Sequence, residues 1–196
     1  CSQRLRAEGY STYYNYGGDI NFTNQNSFLV VGGFDSIVSD KDFGREELVT
    51  EWGALDGSLF EKFGADWEGG RLREPFLCAV QTSSSHEPFE VPYKHWDDAY
   101  LNSVAYADSC LGALMARMEG SDAWGRTLVI IVADHAARHP GGMDYDNTER
   151  FHIPMVWTGG AVGEGRTVGK YCQQTDIGAT LLGQMGIANE GMVFGK

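Results

Sequence analysis

The sequence predicts an α/β domain built on a mostly parallel sheet with helices on both faces. Three observations carry this. The runs 75–82 and 128–133 are apolar without polar alternation, as strands buried on both faces are. Strand-like and helix-like segments alternate along the chain, with no repeats and no low-complexity linker, so one domain covers 1–196. The strand-like runs end in polar clusters, and open α/β sheets bind ligands beyond the carboxyl ends of their strands.

Element by element, residues 1–8 read as the end of a helix stopped by Gly9. "YSTYYNY" (10–16) is β-branched and aromatic, hence a strand, and "GGD" (17–19) is its turn. Residues 21–31 read as a short helix entered through Asn21 or Thr23 and closed at Gly32-Gly33. Residues 34–43 give a short strand and an acidic turn. Leu55, Leu59, Phe60 and Phe63 have helical spacing, followed by a Gly-rich loop at 64–70. "PFLCAVQT" (75–82) is a strand running into "SSSHEPF". The strongest helix is 97–119, with Leu101, Val104, Ala105, Leu111 and Leu114 as its apolar stripe. Strands at 127–133 and 152–160 follow, the latter expected at the sheet centre, then a helix over 173–186 closed by Gly186.

The 196 residues suffice for a substantial core, and 42% hydrophobic with 12% aromatic content is globular. A net charge of -12 argues against a nucleic-acid partner and against direct adhesion to an anionic lipid surface. An acidic chain that handles an anionic substrate needs local cations, a metal among them. No apolar run approaches the roughly 20 residues that span a bilayer. "CSQRLRAEGY" has no hydrophobic region of a signal peptide. Cys1, Cys78, Cys110 and Cys172 have no metal-knuckle spacing, and the apolar surroundings of Cys78 and Cys110 fit packing residues.

"TLVIIVADHAARHP" (127–140) raises the chemical question. Asp134 and His135 end a strand and together suit Zn²⁺ or Mn²⁺ better than Ca²⁺. The plain alternative is a polar turn with Asp134 as a cap, and the residues alone leave both open. Two ligands do not complete a site, so others must come from elsewhere. Arg138 and His139 belong to the same polar cluster and are substrate-binding candidates. His86 in "SSSHEPF" could hold a substrate oxyanion or act as acid or base, or sit unused in a solvated turn. Asp19 and Asn21 could contact a ligand or be ordinary turn residues. Asp108 reads as a buried capping or tethering carboxylate, His95 as structural or exposed, and His152 as a packing or surface histidine.

The order "GYSTYYNYGGDINFTNQNSF", "SSSHEPF", "YLNSVAYADSCLG", "TLVIIVADHAARHP", "FHIPMVW" and "QTDIGATLLGQMG" resembles the C-terminal portion of the sulfatase-like catalytic domain. Within it, the chain looks most like the lipoteichoic-acid-synthase-type phosphotransferases of the alkaline phosphatase superfamily. The resemblance covers nearly the whole chain. It implies an alkaline-phosphatase-like fold, here a partial domain, and an extracytoplasmic (periplasmic or cell-surface) enzyme whose parent is membrane-tethered. It implies a divalent metal (Mn or Zn), a Thr nucleophile and a covalent phospho-enzyme. Asp134 and His135 match the metal pair of that family, and His86 matches the His that contacts the substrate phosphate. Asp19 falls in the loop lining the substrate pocket.

Three positions around that loop depart from the synthases: Tyr16, Thr23 and Gln25 stand where they have His, Trp and Arg. Ala136 replaces the usual Gly after the metal pair. The nucleophile and the other acidic ligand of the family lie upstream of the matched segment. "CSQRLR" is not the sulfatase C-x-P-x-R signature, because Gln3 and Leu5 replace its Pro and Arg. The expectation is therefore a fragment of a phosphotransferase acting on a lipid or glycan head group. The alternatives are a sulfate- or phosphate-ester hydrolase on the same fold and a non-catalytic, degenerate member. The isolated segment is expected to be inactive and open to self-association.

Overall fold

In a computed structural model, residues 1–136, 144 and 146–195 are described. Arg138 and His139 lie outside the described residues. The element order starts with α1 (Ser2–Ala7), β1 (Ser11–Tyr16), α2 (Gln25–Gly32), β2 (Ser36–Val38), β3 (Leu48–Thr50) and β4 (Gly53–Ala54). It continues with α3 (Asp56–Glu68), β5 (Phe76–Gln81), α4 (Ala99–Glu119), β6 (Val129–Val132), β7 (Met155–Thr158) and α5 (Gln174–Gln184).

The main sheet has the order β2-β1-β5, all parallel, with Tyr16 opposite Gln81 and Asn15 opposite Val38. Side chains alternate along its strands, so the two faces meet different layers. Cys78 and Val80 look toward α3 and α4, whose Phe60, Phe63, Leu114 and Met118 form a buried cluster. Phe76 continues that face and meets Trp67 edge-on at 5.5 Å. The opposite face is set by Thr12 and Tyr14. The Thr12 hydroxyl donates to the Gly33 carbonyl at 2.8 Å, and the Tyr14 ring meets Phe34 at 5.4 Å. The expected α/β layering with a parallel sheet is observed.

Four expectations are corrected. Residues 152–160 do not supply a central parallel strand: β7 pairs antiparallel with β6, in a ladder separate from β2-β1-β5. Both β5 and β6 are half-buried rather than enclosed, since each has one edge without a strand partner among the described residues. The Gly-rich stretch 64–70 is mostly helix, because Gly64 serves close packing rather than a turn. A Cβ there would lie 2.8 Å from the Arg117 guanidinium, which crosses from α4 to bind Glu61 and Glu68 at 2.7 and 2.8 Å. The buried face of α4 is also rotated from the apolar stripe expected of it. Asn102, Ser103, Leu114 and Met118 are inside, whereas Leu101, Val104 and Asp108 are exposed.

Candidate functional site

Parallel pairing of β1 with β5 sends the 17–19 turn and the 82–88 loop off the same edge of the sheet. The small β3–β4 hairpin folds onto that edge. Gly17 and Gly18 permit the approach: a Cβ on either would lie 2.5 Å from the Ala54 carbonyl oxygen or 2.4 Å from that of Trp52. Ala54 N–H donates to Gly17 at 2.9 Å, and Asp40 N–H donates to Gly18 at 3.0 Å.

Asp19 is exposed, and its Oδ1 accepts from the Asn21 backbone N–H at 2.8 Å and from the Asn21 amide at 2.9 Å. The pair builds an Asx turn. The loop then enters α2 through Thr23 and Asn24 at φ 54° and 62°. A β-branched residue in the left-handed region is unusual, and such backbone costs of order 1–3 kcal/mol.

His86 is exposed but held. Its Nδ1 lies 2.9 Å from the Glu87 carbonyl, which also accepts from Trp52 Nε1 at 2.8 Å, and the imidazole leans on the Trp52 ring, with centroids 4.1 Å apart and planes tilted by 49°. A carbonyl only accepts, so Nδ1 carries a proton and Nε2 is the free nitrogen. Bare, Nε2 takes a proton; protonated, it donates to an oxyanion.

The loop bearing His86 is anchored by a buried carboxylate. Asp56 opens α3 with no exposed surface, and its Oδ1 accepts from Ser83 N–H at 2.9 Å and Ser84 N–H at 3.2 Å. In return, Ser84 Oγ accepts from Asp56 N–H at 2.9 Å. Burial pushes the Asp56 carboxyl above its ordinary value, opposed by these bonds to Ser83 and Ser84. Beside this loop, Tyr14, Gln25 and Gln81 form a polar cluster, with Gln25 Nε2 2.7 Å from both Tyr14 Oη and Gln81 Oε1. Burial raises the Tyr14 phenol to about 12, so it stays neutral at physiological pH.

Asp134 and His135 follow β6 with side chains 85% and 74% exposed. His135 N–H donates to Asp134 Oδ1 at 2.8 Å, and His135 Nε2 lies 3.4 Å from Asp134 Oδ2. Gln174, at the start of α5, holds the strand end by donating to the carbonyls of Ala133 and Asp134 at 2.6 and 2.8 Å. One carboxylate and one imidazole side by side, turned to solvent, fit part of a divalent-cation shell. Among the described residues, no group of three His, Cys, Asp or Glu side chains completes it.

Asp19, Asn21 and His86 thus share one sheet edge. Among the described residues no strand pairing fixes Asp134 and His135 relative to them, since β6 belongs to the other ladder. Sequence reasoning missed Trp52, Asp56 and Gln174. An isolated Trp in the polar stretch "TEWGALD" was a signal for the first; an N-terminal helix Asp and a glutamine offer none.

A parallel sheet with polar loops at its carboxyl edge and helices packed against it defines an open α/β fold. The model of the Sulfatase family matches residues 2–187, and the chain belongs to that family. It is similar to a protein in the alkaline phosphatase superfamily from Vibrio parahaemolyticus. Its structure superposes with a TM-score of 0.84 at 32% identity, over 98% of this chain and 48% of that one. The lipoteichoic acid synthase LtaP from Listeria monocytogenes shares the fold, with a TM-score of 0.77 at 21% identity over 100% of this chain and 54% of its own. In sequence the chain is 23% identical to phosphoglycerol transferase I of Salmonella choleraesuis (strain SC-B67), over 93% of this chain and 26% of that protein. The chain therefore spans about a quarter of the curated relatives it matches and about half of the solved ones. No helix among the described residues is long and apolar enough to cross a membrane.

Proposed function

We propose that this chain supplies part of the catalytic domain of an extracytoplasmic, metal-dependent phosphotransferase that acts on a lipid or glycan head group. The observation that carries the reading is the Asp134–His135 pair. Both side chains face solvent at a strand end: Asp134 Oδ1 accepts from the His135 backbone N–H, His135 Nδ1 lies 3.2 Å from the Ala136 carbonyl, and Gln174 fixes the backbone beneath them. A core turn has no need of that arrangement. The similarity to phosphoglycerol transferase I and to LtaP favours phosphoryl transfer over sulfate-ester hydrolysis.

In this reading Asp134 and His135 would be among the residues holding a divalent cation, which when bound would supply positive charge to the phosphoryl oxygens and to the attacking group. His86 binds the substrate phosphate through Nε2. Its ring is oriented by the contact of Nδ1 with the Glu87 carbonyl and by the Trp52 ring tilted against it. Asp19 and Asn21 offer acceptors and donors to hydroxyls of the head group. The attacking side chain and the remaining ligands come from outside these residues, and a membrane-tethered parent would bring the site to its lipid substrate.

The experiment uses the intact protein with Mn²⁺ or Zn²⁺ and a glycerol-phosphate lipid. Asp134→Ala and His135→Ala should each remove stoichiometric metal binding and metal-dependent glycerol-phosphate release. Release that persists in either variant at the wild-type rate overturns the reading. Sulfate-ester cleavage without glycerol-phosphate release assigns the protein to hydrolysis instead.

A further inference from the structure

We propose that the groove between β3 and residues 89–97 is a binding site for organic ammonium groups. It has a volume of about 820 Å³ and is floored by α4 and the start of α3, within the size range of small-molecule sites. It opens next to His86: its wall residue Phe89 donates a backbone N–H to the His86 carbonyl at 2.9 Å. On the other side Thr50 stands two residues before Trp52, which covers the imidazole.

Two independent features specify the occupant. The first is a fixed aromatic wall. Trp96 is 49% exposed, yet its backbone is locked by Asn102, which is only 5% exposed. Asn102 Oδ1 accepts from His95 N–H at 2.8 Å and Trp96 N–H at 3.0 Å, and its Nδ2 donates to the Trp96 carbonyl at 2.8 Å. All three bonds of this buried amide go to the 95–96 backbone, which fixes where the half-exposed Trp96 side chain leaves the chain. It pre-organises a surface. Tyr93 extends that wall, with its ring 4.5 Å from His95.

The second feature is charge. Glu46, Glu47, Glu90 and Asp97 line the groove against the single cation Lys94. None of the four carboxylates has an ion-pair partner among the described residues. That field repels phosphate and gives a neutral apolar ligand no advantage. Aromatic faces combined with carboxylates are the recognition chemistry of ammonium and quaternary ammonium groups. Assigning the ammonium group to a substrate or acceptor of the transferase rests on the function proposed above; the binding site itself does not.

The test is a calorimetric or NMR titration of the intact protein with choline and with its neutral carbon isostere, 3,3-dimethyl-1-butanol. Choline should bind at least about ten-fold more tightly than the isostere, and raised salt should weaken it. Trp96→Ala and the double variant Glu90→Gln/Asp97→Asn should each weaken choline about ten-fold while leaving the thermal unfolding midpoint in place. Equal binding of the two probes, or full choline affinity in both variants, overturns the proposal. Choline affinity surviving in Asp134→Ala, where metal binding is lost, supports a site separate from the phosphoryl chemistry. Glycerol-phosphate release by a wild-type protein that ignores choline sinks the groove proposal and leaves the transferase reading standing.

Discussion

Removing the Asp56 carboxylate should unseat the loop that carries His86, and the structure sets the size of the effect. Asp56 Oδ1 accepts from the backbone N–H groups of Ser83 and Ser84, at 2.9 and 3.2 Å, in a fully buried setting. Asp56→Ala leaves both donors without an acceptor, and each orphaned buried donor costs about 1–3 kcal/mol. Some of this is returned, because a charge no longer has to be buried. The expected loss is therefore roughly 2–5 kcal/mol, a large fraction of the stability of an ordinary domain. Asp56→Asn keeps one acceptor oxygen in place, but its NH₂ falls where Oδ2 now has no partner, so it should cost about 1–2 kcal/mol. Urea unfolding at neutral pH measures both variants, and amide shifts of Ser83 to His86 report whether the loop has moved. An Asp56→Ala variant within about 1 kcal/mol of wild type, or an Asn variant worse than Ala, would refute the reasoning.

Other outcomes follow from the same geometry. Burial raises the folded-state carboxyl of Asp56 above its unfolded value of about 3.9, so the native state binds the extra proton more tightly. Its contribution to stability is complete below that unfolded value and is lost as pH rises through the raised one; urea midpoints across a pH series should show this slope flattened in Asp56→Asn. Gln174→Ala should weaken metal binding of the intact protein by about ten-fold, since outer-shell supports of ligands have that worth, and competition with a chelator reads it. Trp52→Ala should raise KM for a phosphate ester several-fold by freeing the His86 ring, whereas Trp52→Phe should restore most of the loss. Gly17→Ala should destabilise by about 1–3 kcal/mol in urea, because the new methyl group meets the Ala54 backbone, which cannot rotate away.

The elements were legible where periodicity and composition agree. Strands at 11–16, 76–81 and 129–132 and helices at 56–68, 99–119 and 174–184 lie where apolar runs and spacing put them. Pairing was less legible. The polar edges of β6 and β7 carry no sign of parallel or antiparallel register, so β7 was misplaced as a central strand. The rotation of α4 has a specific cause: Asn102 and Ser103 go inside because Asn102 serves the 95–96 backbone and the Ser103 hydroxyl bonds back to Tyr100 at 2.7 Å. No hydrophobicity pattern announces such a choice. In the site, Asp19 and His86 stood out because each ends a strand. Trp52, Asp56 and Gln174 act through backbone groups of residues far along the chain, and only the folded arrangement brings them there.

The division of the sheet into two ladders bears on how the molecule opens. Among the described residues no ladder bond ties β6–β7 to β2-β1-β5, so side-chain packing such as that of Val129 on the Phe60 cluster holds the C-terminal ribbon, and it can separate while every ladder bond of the three-stranded sheet survives. Its outward residues, such as Val132 and Val156, add little resistance. Amide exchange should therefore be faster in β6 and β7 than in β1, with two protection levels in a single chain. Asp134 and His135 sit on the less protected level. A cation gripping them would draw its affinity partly from closing that ribbon, and by mass action it would raise protection there while leaving β1 unchanged.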